Sequence, residues 1–255
     1  MASVGLLYVG AVLIVNGLML LGRVDARAAA PMNLFVGLLQ VLTPTYLIFT
    51  SGGDTATILG ASGIYLFGFT YLYVAFNLFF GLDGTGLGWF SAFVACCAVV
   101  YAGLNFGRLD DPAFGVIWLY WATLWALFFL VLGLKREELT RFTGAIAIVA
   151  GVITCAVPAF LLLTGVWTDN RRTSAIVLAV LCVLSLALYP RLRDTRATAA
   201  SAPAPQLREG ELTGQVAGGP QPTTQMHGNV VEPQPPVPAE QPPAPASDPA
   251  TRRRR

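Results

Sequence analysis

Lysine and histidine each occur once in this chain, as Lys135 and His227, and only 12% of its 255 residues are charged against 55% that are hydrophobic. An ordinary soluble domain carries about a quarter charged residues, so water is not the main solvent here. The one lysine stands between two apolar runs, which leaves no intramembrane lysine for a Schiff base and excludes a retinal pigment. With no H-E-x-x-H, no Walker loop and no paired acids inside the apolar runs, catalysis lacks its residues. The chain therefore reads as a non-enzyme, with no catalytic residue, metal or cofactor expected. Cys96, Cys97, Cys155 and Cys182 all fall within apolar runs, show no C-x-x-C spacing, and read as small packing residues. Sixteen Lys and Arg against 14 Asp and Glu leave a formal charge of +2, too small to point to a nucleic acid.

What the chain does have is long apolar runs. A hydrocarbon core of about 30 Å needs about 20 helical residues. Seven windows qualify, Val4–Gly22, Met32–Thr50, Thr57–Phe80, Leu87–Phe106, Ala113–Leu134, Phe142–Val166 and Thr173–Tyr189, and none contains Asp, Glu, Lys, Arg or His. The expectation is an all-α integral membrane protein in which short loops make consecutive helices antiparallel hairpins. The first window has no positive leader and no small-residue cleavage site, so it reads as a mature helix.

Basic residues set the orientation, because short cytoplasmic loops collect them. With the N-terminus outside, Arg23, Arg27, Lys135, Arg136, Arg141, Arg191, Arg193 and Arg196 fall inside, against Arg108, Arg171 and Arg172 outside. The C-terminal segment is then cytoplasmic. Its runs Glu232-Pro-Gln-Pro-Pro-Val-Pro and Gln241-Pro-Pro-Ala-Pro-Ala cannot build a core and are expected to be disordered.

The most specific local pattern is on the fifth window, where Phe114, Trp118, Trp121 and Trp125 follow at intervals of four, three and four and share one helix face. At 1.5 Å per residue the stripe runs about 16 Å, through the depth where interfacial tryptophans are not expected. Two readings stand: the rings pack against neighbouring helices or lipid, or they wall a slot that fits a planar amide or urea and rejects hydrated ions. Phe67 and Tyr71 lie one turn apart on the third window. Asn16, Asn33, Gln40, Thr43, Thr70, Asn77 and Thr154 can line a path or bond a neighbouring helix, and Pro44 and Pro158 are candidate kinks.

The runs Leu6-Leu-Tyr-Val-Gly-Ala-Val-Leu-Ile-Val-Asn-Gly, Met32-Asn-Leu-Phe-Val-Gly, Phe67-Gly-Phe-Thr-Tyr-Leu-Tyr, Phe80-Gly-Leu-Asp, Trp118-Leu-Tyr-Trp-Ala-Thr-Leu-Trp and Val157-Pro-Ala-Phe-Leu-Leu occur in one order from about residue 3 to 167. Together they resemble the bacterial AmiS/UreI family of acid-gated urea channels and short-chain amide transporters. The resemblance implies a six-helix protomer over 1–167 in the bacterial inner membrane, assembled as a hexamer with one pore per protomer. It implies passive permeation of urea or small aliphatic amides, with Leu6, Val9 and Leu13, Phe67 and Tyr71, and Trp118, Trp121 and Trp125 matching the family's pore-lining positions; Phe114 joins them by its place on the stripe. A coupled amide transporter and a structural membrane protein without flux are the alternatives.

Three departures qualify the resemblance. A membrane glutamate of the acid-gated urea channel falls at Ala150 here, and without that carboxylate a less polar amide gains over urea. The loop Ser51-Gly-Gly-Asp-Thr is short and holds no histidine, so acid gating is not expected. Residues 168–190 add a seventh helix and residues 191–255 the tail, a candidate ligand for a cytoplasmic amidase or urease.

Overall fold

A computed structural model of the chain describes residues 2–169 and 171–192. The tail from residue 193 onward, with its expected disorder and enzyme contact, lies outside the described residues. Among those described, the secondary structure is entirely helical. Six helices are long and apolar enough to cross a membrane: α1 (Ala2–Leu20), α2 (Ala26–Thr50), α3 (Thr55–Phe80), α4 (Thr85–Gly107), α5 (Pro112–Gly133) and α6 (Glu137–Leu163). A seventh, α7 (Arg171–Leu186), has 16 residues, or about 24 Å of rise, less than the others.

Polar caps set the boundaries. Asp25 accepts from the Arg27 and Ala28 N–H groups and starts α2 six residues before the apolar window at Met32. Asp54 caps α3 through Thr57 N–H at 2.8 Å, and Asp111 caps α5 through Phe114 N–H at 3.2 Å with Pro112 in the first turn. These carboxylates satisfy N–H groups that a helix start leaves unpaired. Gly81 closes α3 in the left-handed region at φ 64°, which glycine enters without steric cost. Hydropathy windows cannot register caps, which is why their edges differ from these by several residues.

The outward surface is apolar: Phe49 is 84% exposed, Phe80 69% and Phe35 65%. In water such a belt drives aggregation; in lipid it is ordinary solvent contact. Helix–helix contact then depends on close packing and hydrogen bonds. Asn16 of α1 and Asn33 of α2 exchange two carboxamide hydrogen bonds of 2.8 and 2.7 Å.

The hairpin expectation needs correction at the termini. α2/α3 and α4/α5 pack as hairpins, but the principal partner of α1 is α6, from the far end of the six-helix unit. Four glycines cause this. A methyl group at Gly10 would stand 2.7 Å from the Gly151 carbonyl oxygen, and one at Gly17 2.5 Å from that of Gly144. The two backbones touch, an approach only glycine permits. Halfway along, α6 widens into a π-helical segment, Gly151–Ala156, before Pro158; proline has no N–H for the preceding turn, and a wider turn absorbs the defect.

α7 lies along α5. Arg171 Nη1 donates to the Asp110 carbonyl at 3.1 Å beside the start of α5, and the ring of Tyr189, just past α7, meets Phe142 near the start of α6 at 5.2 Å. Ser185 spends its proton on the Cys182 carbonyl at 2.7 Å, so the 2.6 Å contact between Tyr120 and Ser185 has the tyrosine as donor.

Candidate functional site

Two cavities lie at opposite ends of the bundle interior, of about 260 and 250 Å³. The first is reached from the N-terminal side and is bounded by Ala2, Leu59, Leu109 and Leu162, at the ends of four helices or their loops. The second is bounded at the other side by Met19, Leu82, Gly84 and Leu132. Of the residues singled out in the sequence, Leu6, Val9, Phe67, Phe114, Trp118 and Trp121 line the first cavity, and Leu13, Tyr71 and Trp125 line the second. Among the described residues, no Asp, Glu, Lys, Arg or His lines either one.

Between the cavities stands a partition of rings. Phe67 is its hub, with ring centroids 4.8 Å from Trp121 and 5.0 Å from Trp125, both edge to face. Trp118 lies 5.6 Å from Phe67 and 5.1 Å from Trp121. Edge-to-face packing sets positive ring edges on negative faces, a geometry that fixes the rings' mutual angles. The α5 stripe therefore meets α3 at this level, with Leu13 of α1 and Tyr71 of α3 both 1% exposed beside it.

Each central indole is held by a threonine on a different helix. Trp121 Nε1 donates to Thr154 Oγ1 at 3.0 Å, and Thr154 donates to the Ala150 carbonyl at 2.6 Å. Trp125 Nε1 donates to Thr70 Oγ1 at 3.3 Å, and Thr70 donates to the Leu66 carbonyl at 2.7 Å. Both threonines spend their proton on their own helix and keep a lone pair for the indole. The indole N–H groups are thereby occupied, leaving mainly ring surface towards the cavities.

Sequence reasoning did not single out Tyr101 of α4. It stacks on Trp118 with centroids 4.6 Å apart and an 18° interplanar angle, and its hydroxyl meets Ser62 at 2.7 Å. One tyrosine on an apolar helix carries no signal of this; only the α4/α5 contact reveals it. For Gln40, Asn77 and Thr154 the sequence leaves lining a path and bonding a neighbouring helix as alternatives, and their partners, or lack of them, become visible only in three dimensions.

The model of the AmiS/UreI family transporter matches residues 1–166. The chain belongs to the AmiS/UreI family. It is 54% identical over 206 residues to a protein named as the transporter AmiS2 in Rhodococcus erythropolis, covering 81% of this chain and 98% of that one. It is 52% identical over 205 residues to one named as an amidate substrates transporter in Mycolicibacterium smegmatis, covering 80% and 96%. The acid-activated urea channel of Helicobacter pylori is 37% identical, with 66% of this chain and all of that one covered. Structures of that channel, one by cryo-electron microscopy in a closed state and one by crystallography, superpose with TM-scores of 0.60 at 38% and 37% identity, over 66% of this chain. A match covering 81% of 255 residues cannot omit α7, whereas the whole urea channel is accounted for by 66% of this chain, close to the extent of residues 1–166. α7 thus falls within the stretch this AmiS/UreI member shares with AmiS2 and the amidate substrates transporter.

Proposed function

We propose that this protein is a membrane channel through which short aliphatic amides, and urea as the smallest of the set, permeate passively along an aromatic-lined route. The observation that carries the reading is the pair of cavities separated by Phe67, Trp121 and Trp125, with no ionisable carboxylate, amine or imidazole among the described residues that line them. A planar neutral solute slides between ring faces; a hydrated ion would lose its shell with nothing to replace it. A coupled carrier needs a titrating or ion-binding group on the route, and the lining favours the passive reading.

The topology follows from the loops and from α7. The N-terminus lies outside and the tail inside. α7 contacts the Asp110 loop at one end of the bundle and the Phe142 end at the other, which supports its role as a seventh crossing; Ile176, Val180 and Val183 then face lipid, 66%, 52% and 66% exposed. Each protomer carries its own route, so assembly into a hexamer multiplies the pore without creating it. Amides are favoured over urea because, on the resemblance, Ala150 takes the place of a membrane glutamate whose carboxylate could accept from both urea N–H groups, and because α7 is shared with AmiS2 and the amidate substrates transporter.

Stopped-flow light scattering on proteoliposomes tests this with acetamide and urea gradients. Non-saturating flux well above empty liposomes, altered in Trp125→Ala, is the expected result. Flux equal to that of empty liposomes from folded, reconstituted protein would leave the rings as a packing seam and the protein as a structural one.

A further inference from the structure

Gln40 lies on α2, 3% exposed, and lines the first cavity next to Leu6, Val9 and Phe67. Its Nε2 has no hydrogen-bond partner. Buried polar side-chain atoms are nearly always paired, so an orphan carboxamide nitrogen inside an apolar chamber requires a reason. The helix opposite has made room for it: a methyl group at Gly5 of α1 would stand 2.8 Å from Gln40 Nε2 and 3.3 Å from Oε1. The Asn16–Asn33 pair shows the alternative, since two carboxamides in the same bundle there exchange an N–H for a C=O in each direction, with the second Asn33 N–H donated to the Ala29 carbonyl. Gln40 has the same chemistry and lacks the second carboxamide.

We propose that Gln40 is the recognition group for primary amides in the first cavity, the solute supplying the missing carboxamide. A primary amide places an N–H and a C=O on one edge. It can donate to Gln40 Oε1 while accepting from Nε2, closing a two-bond pair of the kind made by Asn16 and Asn33. The pair is neutral, so it selects without the desolvation cost of an ion, and it is weak enough in net terms to release the solute towards the ring partition. A secondary amide in its trans form holds N–H and C=O on opposite sides and cannot close the pair. The inference rests on the channel reading for its purpose but not for its test.

Propionamide, N-methylacetamide and N,N-dimethylformamide are isomers of one formula, with two, one and no N–H groups, and they separate hydrogen bonding from size. Binding of each to the full chain in nanodiscs is measured by saturation-transfer NMR, and flux of each by stopped-flow light scattering after subtracting empty liposomes. The parent is expected to bind propionamide in preference to its isomers, and Gln40→Met, of similar length with no hydrogen-bonding group, to reduce that preference about three- to tenfold. Gln40→Asn, which withdraws the carboxamide by one methylene, gives a second folded variant expected to lose most of the preference. A parent with no preference, or either variant keeping it in full, would overturn the proposal. Gln40-dependent binding without flux would refute the channel and leave the recognition site standing; flux with a preference indifferent to Gln40 would do the reverse.

Discussion

The α1/α6 contact and the α3/α5 contact are built from opposite ends of the size range. Along α1/α6, Gly10 and Gly17 rest against Gly151 and Gly144 with no room for a methyl group. Along α3/α5, Phe67, Trp121 and Trp125 fill the interior with rings about 5 Å apart. The glycine seam brings two backbones into contact and leaves nothing to move; the ring contact keeps two backbones apart and leaves cavities above and below. Rigidity at one contact and adjustable space at the other have the same origin, the volume of side chain between helices in a solvent that supplies no hydrophobic force of its own.

Breaking the seam should have the largest effect. Gly17→Leu places a branched side chain against the Gly144 carbonyl and Ile148, and backbone has nowhere to shift without parting α1 from α6. Loss of the monodisperse peak on size exclusion in detergent is expected; a normal elution profile would show that the seam yields. Removing a ring should change selectivity and spare the fold. In Trp121→Ala the partition opens beside Phe67, and butyramide flux relative to acetamide should rise at least about fivefold, since in the proposed channel size discrimination rests on the slot. An unchanged ratio in stopped flow would place the size filter elsewhere.

A gentler change asks whether the rings are held or merely packed. Thr154→Val leaves the Trp121 N–H without its acceptor, at a cost near the average of about 0.6 kcal/mol for an interhelical hydrogen bond in a membrane protein. A Trp121→Phe background should abolish that cost in a double-mutant cycle of unfolding in mixed micelles; a cost that persists would assign it to the bond from Thr154 to the Ala150 carbonyl.

The smallest effect is expected from acid. The single histidine, His227, lies in the tail sequence. Asp83 is held well below the usual carboxylate range by hydrogen bonds from Thr85 and from Lys135, whose Nζ lies 2.9 Å away, and Asp54 is lowered by the Thr57 hydroxyl and N–H. A depressed folded value contributes stability that is present above the unfolded value of about 4 and is lost only as the pH falls through the folded one. Neither carboxylate changes state between pH 7 and pH 5. Flux at the two values should agree within about twofold, and a tenfold rise at pH 5 would reveal a titrating gate.

Much of this was legible in the chain. Seven apolar runs without charge mark out the seven helices because a bilayer core leaves a backbone no other way to satisfy its N–H and C=O groups than within one segment or a closed barrel. Intervals of four, three and four place Phe114, Trp118, Trp121 and Trp125 on one face because 3.6 residues make a turn. Periodicity stops there. It did not show that α1 finds α6 across the whole unit, because glycine pairs acquire meaning only when two backbones meet. Nor did it separate Gln40 from Asn16, two polar residues on apolar helices that differ only in whether a partner lies within about 3 Å. Local composition and period decided the solvent, the helices and their faces, since these depend on neighbours in sequence. Tertiary structure alone decided which faces meet, which rings form the partition and which carboxamide atoms, Gln40 Nε2 and Asn77 Oδ1, are left unpaired, since those depend on distances between residues far apart along the chain.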